Sequence, residues 1–233
     1  MRLYLLQMAL VPASGIPAVS YLIQTDDGTH VLVDSGLPKE YTAPEMGLQL
    51  GASDYIVAQL AALGRTPHDI RYVICTHFDH DHAGGHDAFT TAEFVVQRQH
   101  DAIARTGEHP RFERVRSHWD HSSLRYRLVD GDTTLLPGVE LIATSGHVPG
   151  HQSVLVRLPQ TGPVLLAIDA VPTAARFDPE DAAPGPHDMD PAGVRASTRK
   201  LVSLAEREGV QLVVFGHDAE QWRTLKKAPA YYS

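Results

Sequence analysis

Cysteine is almost missing from this chain: Cys75 is the single one among 233 residues. A lone cysteine forms no intramolecular disulfide and excludes a thiolate-rich zinc site, so any metal must be held by imidazole and carboxylate. Basic residues are also short, with 20 Lys and Arg against 28 Asp and Glu and a net charge of -8. No basic tract is long enough to follow a phosphate backbone, which argues against a nucleic-acid partner. There is no run of about 18 apolar residues, so a membrane span is excluded on length and no membrane partner is expected. The segment 1–12 is apolar but has neither a polar gap nor a convincing small-residue cleavage site. It reads as a first strand, and the expected location is the cytoplasm.

What remains is an ordinary globular composition, 43% hydrophobic and 21% charged, that fits one domain over residues 1–233. Histidine is the exception: the chain has 14, several of them clustered, so metal or proton chemistry is the first idea to pursue. Residues 16–25 and 29–33 read as strands joined by the turn Asp26-Asp27-Gly28 and ending at Asp34-Ser35-Gly36. Residues 39–50 show no clear periodicity and are expected as an ordered loop over a pocket. A helix is expected over 52–63, where Ile56, Val57, Leu60 and Leu63 recur at three- and four-residue steps. The apolar run 70–75 is a buried strand. Further strands are expected at 93–97, 124–129, 139–143, 153–158, 163–168 and 210–215, and helices at 98–105 and 195–208, the latter after a Gly/Pro/Asp-rich loop at 179–192.

The strongest local signal follows the strand 70–75. In Thr76-His77-Phe78-Asp79-His80-Asp81-His82-Ala83-Gly84-Gly85, five ionisable side chains fall within six positions. An extended backbone projects residues 77, 79 and 81 to one side, and a turn at 81–83 brings Asp81 and His82 round from another. The small residues 83–85 suit a sharp turn. His147, Asp169 and His217 also stand at strand ends, where the ligand sites of open sheets gather. His77, Asp79 and His147 could thus hold one divalent ion and Asp81, His82 and His217 a second, with the two oxygens of Asp169 bridging them. Without a cation, burying these carboxylates together would cost several kcal/mol or force protonation, a cost that a solvated acidic loop avoids. His80 is expected on the pocket rim, and His151 as a strand-capping or substrate-near residue.

The run His77 to Gly85, with His147, Asp169 and Gly216-His217-Asp218, resembles the metallo-β-lactamase-fold hydrolases. The ending Phe215-Gly216-His217-Asp218 with Gln221-Trp222 looks most like the N-acyl homoserine lactonase branch, and the likeness covers the chain from Ile16 to Tyr232. It implies an α/β chain folded as a four-layer αβ/βα sandwich with a dinuclear site between two sheets. It also implies His77, Asp79, Asp81, His82, His147, Asp169 and His217 as ligands to two divalent ions. Asp79 departs from the family loop, which reads His-x-His-x-Asp-His. A carboxylate there admits manganese, iron or cobalt beside zinc, the first expectation, and makes the first ion a weaker Lewis acid. A second departure is Ala170-Val171-Pro172, where the resembled lactonases carry a tyrosine three residues beyond the aspartate. Oxyanion stabilisation would then fall mainly to the metal, or to a residue of another loop such as Tyr21 or His151.

The reaction so implied is metal-assisted hydrolysis of a cyclic ester, with Asp81 as ligand and proton relay and Asp169 as bridge. The partner expected is a small molecule, an N-acyl homoserine lactone. Met8, Leu10, Ile16, Met46, Leu48 and Phe78 are candidates for an acyl channel, with Phe112, His118, Trp119 and His121 for an opposite wall or a plain connection. A homodimer is possible, sealed by a Met/Leu/Tyr patch within 39–56. Another lactone, a thioester as in glyoxalase II-like enzymes, a phosphodiester or a β-lactam are alternative substrates on the same fold. The acidic charge argues mildly against the thioester and an RNA phosphodiester. A flavodiiron-like electron carrier would need a flavin domain from a partner, and a metal-binding protein without turnover is the non-enzymatic alternative.

Overall fold

Alternation along the first strand decides the architecture. In β1 (Arg2–Leu10), Leu3 and Leu5 enter one buried cluster while Tyr4, Leu6 and Met8 enter another, so both faces of the sheet need cover. In the computed structural model, which describes residues 1–233 except 179, 181 and 182, that cover is a second sheet on one side and helices on the other.

β2 (Pro17–Gln24) and β3 (His30–Val33) continue from β1 as antiparallel neighbours. The segment expected as a loop over a pocket is a small ribbon, β4 (Thr42–Ala43) with β5 (Leu48–Gln49), and α1 (Ile56–Ala62) follows, shorter than the expected 52–63. α1 lays Ile56 and Leu60 on the outer face of the sheet. β6 (Ile70–Ile74) then joins β3 in parallel and leads into α2 (His80–Ala83). β7 (Glu93–Gln97), α3 (Arg98–Arg105), the short helices α4 (Pro110–Glu113) and α5 (Arg116–Trp119), and β8 (Arg125–Val129) complete the first half.

The second sheet runs β13-β12-β11-β10-β9, built from β9 (Thr133–Leu136), β10 (Val139–Ala143), β11 (Gln152–Leu158), β12 (Gly162–Ile168) and β13 (Leu212–Phe215). Its inward residues Val154, Val156, Val164 and Leu166 meet Leu3, Leu5, Val31 and Val33 of the first sheet, while Leu155, Leu165 and Ala167 face outward. Leu201 and Leu204 of α6 (Pro191–Glu208) cover them, which gives the four-layer αβ/βα order. α6 starts four residues before the expected 195, because Asp190 caps it by accepting from Ala192 N at 3.0 Å and Pro191 takes its first turn. Residues 179, 181 and 182 of the expected 179–192 loop lie outside the described residues. The last helix is α7 (Ala219–Thr224).

Two departures from ordinary backbone stand at strand ends facing the crevice between the sheets. Asp34, after β3, has φ 57°, and Ile168, the last residue of β12, has φ 53°, uncommon for any side chain and most strained for a β-branched one. Gly84 answers a different demand, since a Cβ there would lie 2.3 Å from Pro38 Cδ where the loop after β3 packs on α2.

Two buried histidines pin this end of the molecule. His100 accepts from Phe78 N and donates from Nδ1 to Pro149 O, both at 2.8 Å, and His86 pairs through Nδ1 with Ser35 Oγ at 2.6 Å. Burial depresses both, His100 to about 4 and His86 to about 3, so both are neutral in the fold. The unfolded chain takes up these protons near pH 6.5, so this stability is complete above pH 6.5 and is lost as pH falls toward 4, at about 1.4 kcal/mol per pH unit per group. Thermal melts of metal-saturated protein from pH 7 to 5 should therefore show a falling Tm, with a shallower fall in His86→Gln. Parallel pH curves for the two proteins would overturn this assignment.

Candidate metal centre

The carboxyl ends of β3, β6, β10, β12 and β13 open into one crevice, and each contributes through the loop it feeds. β6 ends in the run that carries His77 and Asp79, α2 carries Asp81 and His82, the turn after β10 carries His147, β12 runs into Asp169, and β13 into Gly216-His217. Gly216 is required by the close approach of these last two strands, because a Cβ there would stand 2.7 Å from Ile168 O and 2.9 Å from Asp169 Oδ1.

Asp169 sits at the middle. Its Oδ2 lies 3.8 Å from His77 Nε2 and 3.4 Å from His147 Nε2, while its Oδ1 lies 3.5 Å from His82 Nε2 and 3.2 Å from His217 Nε2. Asp81 Oδ2 is 3.7 Å from both His82 Nε2 and His217 Nε2. Asp79 Oδ2 is 3.4 Å from His77 Nε2 and 3.3 Å from His147 Nε2. The seven residues read as ligands thus converge in two nests that share one carboxylate. The donor atoms of His77, His147 and Asp169, and those of Asp81, His82 and His217, each lie within 4.8 Å of one another, as one cation per nest requires.

The far side of each ring explains why the Nε2 atoms point inward. His82 Nδ1 donates to Asp34 Oδ2 at 2.8 Å, His147 Nδ1 to Asp188 Oδ1 at 2.8 Å and His217 Nδ1 to Pro17 O at 2.9 Å. Those oxygens only accept, so the Nε2 lone pairs are left for the crevice. His77 Nδ1 reaches Thr76 Oγ1 at 2.9 Å, and that hydroxyl in turn donates to Asp34 Oδ2 at 2.7 Å. Asp34 therefore orients one histidine of each nest, and Thr76 N at 2.8 Å completes its hold.

The electrostatics ask for a cation. Burial works against charging His147 and His217, but the carboxylates beside them, Asp188 and Asp79 for one and Asp169 and Asp81 for the other, hold both at about 9. His77 is pushed down to about 3 by burial and by neighbouring His82. Asp169 stays well below the usual carboxylate range despite its burial, because His217, His82 and His147 surround it. His77 Nε2, His82 Nε2 and Asp169 Oδ1 are buried with no hydrogen-bond partner among the described residues, and two divalent ions would satisfy all three. The residues present therefore fit a dinuclear centre.

A cavity of about 990 Å³ leads from the centre to the surface. Asp79, His80, Asp81, His147, Asp169 and His217 form its floor, and Ile16, Met46 and Leu48 an apolar wall. His80 stands at the rim, its ring 5.3 Å from that of Tyr41. Met46 takes the place expected of it, but four other expected pocket residues do not. Met8 is wholly buried beneath Gly36, in the outer core with α1. Phe78 and Trp119 stack at 4.2 Å beneath the histidine loop and never reach the cavity. His151 is buried with its ring 5.1 Å from that of His77, bonded to Thr144 Oγ1. Tyr21, with 1% of its surface exposed, is likewise closed off from a substrate. The segment after residue 109 does supply a wall, through Pro110, Arg111 and Arg114 rather than Phe112, His118 or Trp119.

Three residues of the site escaped the sequence reading. Asp34 ends a strand as the ligands do, and that position was its signal. Asp188 lies in an irregular stretch and Arg111 in a short helix, neither with a pattern that points to the crevice.

A crevice of this kind, with two imidazole-carboxylate nests at the strand ends of an αβ/βα sandwich, defines a class of metallohydrolases, and residues 14–217 match the family described as the metallo-beta-lactamase superfamily. The chain belongs to that superfamily. It is 35% identical over 237 residues to the N-acyl homoserine lactonase of Bacillus thuringiensis, covering 96% of this chain and 90% of that protein. It is 37% identical over 238 residues to the N-acyl homoserine lactonase AttM of Azorhizobium caulinodans, covering 93% and 88%. It also superposes, with a TM-score of 0.85, 30% identity and coverage of 99% and 98%, on an N-acyl homoserine lactone hydrolase with the product N-hexanoyl-L-homoserine bound at its catalytic metal centre.

If Asp34 sets the rings as described, Asp34→Ala should weaken metal binding by about ten- to a hundredfold, the usual cost of removing an outer partner of metal-ligating histidine. Competition against a chromophoric chelator reads this directly, and unchanged affinity in a folded variant would refute the role.

Proposed function

We propose that this protein is a metal-dependent hydrolase that opens the ring of N-acyl homoserine lactones. The observation that carries this reading is the position of Asp169, its two oxygens among the Nε2 atoms of His77, His82, His147 and His217, at the floor of a cavity with an apolar wall. The similarity to lactonases over nearly the whole chain supports the substrate class.

His77, Asp79 and His147 would hold one divalent ion, Asp81, His82 and His217 the other, and Asp169 both, with zinc the first choice for such imidazole-carboxylate sets. Such ions supply a water of lowered pKa and a Lewis acid for the lactone carbonyl. Asp81, whose side chain is 20% exposed and lines the cavity, would pass a proton to the leaving ring oxygen. Pro172, where the resembled lactonases have tyrosine, lines the cavity without a donor, so the carbonyl would be polarised by the ions or by another donor of the cavity wall, such as Tyr41. Ile16 and Met46 are 40% and 45% exposed on the cavity wall, and an acyl chain lying across them would cover apolar surface that is otherwise wet.

The test is initial-rate hydrolysis by metal-quantified protein of short- and long-chain acyl homoserine lactones, simple γ- and δ-lactones, an aryl phosphodiester, a glutathione thioester and a β-lactam, with chelated and metal-restored samples beside them. Acyl homoserine lactones should turn over in a metal-dependent way, and Asp169→Asn should lose both metal and most activity. Turnover confined to another substrate class would discard the lactone reading and keep the centre. Ile16→Asp should lower kcat/KM for a decanoyl substrate by about tenfold and for a butanoyl one by no more than about twofold, since each methylene it stops burying is worth about 0.8 kcal/mol. Equal losses on both substrates would remove Ile16 from the acyl wall.

A further inference from the structure

The two nests are not equivalent, because a guanidinium already occupies one of them. Arg111 Nε donates to Asp79 Oδ1 at 2.8 Å, and Nη2 closes the fork on Asp79 Oδ2. The same Nη2 stands 3.0 Å from His147 Nε2. The Nδ1 of the same ring is held by Asp188, so the edge of His147 turned to Arg111 is the Nε2 that a metal would use. The remaining Nη1 donates to His187 O at 2.7 Å. Arg111 thus holds both oxygens of Asp79 and stands against His147 Nε2, two of the three side chains specific to the first nest. Among the described residues no Arg or Lys forms an ion pair with Asp81 or Asp169, the carboxylates of the second nest.

We infer that Arg111 is a built-in counter-cation that competes with metal for the first nest, so that the protein binds one divalent ion tightly at Asp81, His82, His217 and Asp169 and the other more weakly at His77, Asp79 and His147. A guanidinium cannot shed its proton to make way. An incoming ion must instead displace a forked ion pair from Asp79 and a hydrogen bond from His147, and it then shares the site with the displaced charge. Asp79 makes the arrangement possible, since an imidazole at that position offers no fork partner for Arg111.

The inference rests on the metal-centre reading above and needs no particular substrate. Metal-stripped wild-type protein titrated with zinc, followed by calorimetry and elemental analysis, should bind two ions in two separated steps, the second weaker by at least about tenfold, within the range over which partners of metal ligands tune affinity. Cobalt titrated the same way gives the two steps separate visible spectra. Arg111→Met should strengthen the weak step by about the same factor and draw the two together, whereas Arg111→Lys, which keeps a charge without the fork, should fall between. Two equal steps in the wild-type protein, or a weak step unmoved in folded Arg111→Met, would overturn the inference. The wild-type titration decides the matter even if the variants do not fold. Two unequal steps without lactone turnover would keep this inference and discard the substrate proposal; lactone turnover with two equal steps would do the reverse.

Discussion

The structure depends on one carboxylate being held where four imidazoles can share it. Asp169 is almost wholly buried, and its burial is tolerable because its oxygens stand among four Nε2 atoms and, with them, places for cations. To put it there, β12 ends in a residue with φ 53°, its register with β13 shifts between Leu166 and Ile168, and the neighbouring strand ends in a glycine that lets the backbones close up. Backbone strain collects at this spot because the surrounding sheets determine it more strongly than local preference does.

The sheets themselves follow from simple alternation. Residues of β1, β11 and β12 divide between an inner cluster and an outer one, so each sheet has two apolar faces and the chain must lay helices over both outer sides. The crevice is the gap left at one end of this sandwich, and the polar strand ends that would otherwise be unsatisfied there become its ligands. Asp34 shows how few parts are needed: one carboxylate at the end of β3 orients His82 directly and His77 through Thr76.

What was legible in the sequence followed this same logic. The histidine loop after a buried strand, and His147, Asp169 and His217 at the ends of others, stand out because the strand ends of the two packed sheets meet at one crevice, whatever their separation along the chain. The apolar neighbours of the motif were less readable. Phe78 lies between two of the ligands in sequence, yet alternation sends it down onto Trp119 and into the core, and Met8 is carried to the outer face of its sheet. Sequence proximity to a site says nothing of which side of the backbone a side chain takes unless the strand phase is known. Arg111 and Asp188 had no periodic signal, since one sits on a single-turn helix and the other in irregular chain, and tertiary packing alone brings them to the crevice.

Asp79 and Arg111 belong together for a reason of charge. A carboxylate in place of imidazole would leave three anions around the two nests where the family loop provides two, in a pocket with little water to screen them. The guanidinium forked onto Asp79 returns the balance to that of two carboxylates alone, so the centre keeps its overall charge while its two halves become different. A neutral imidazole waits for a metal with its lone pair free. A carboxylate held by arginine already has a cationic partner, so the first nest can stand intact without an ion. The substitution at Asp79 thus changes more than a ligand type: it couples metal occupancy at one nest to the position of a side chain from a different part of the chain, one that also forms the cavity wall.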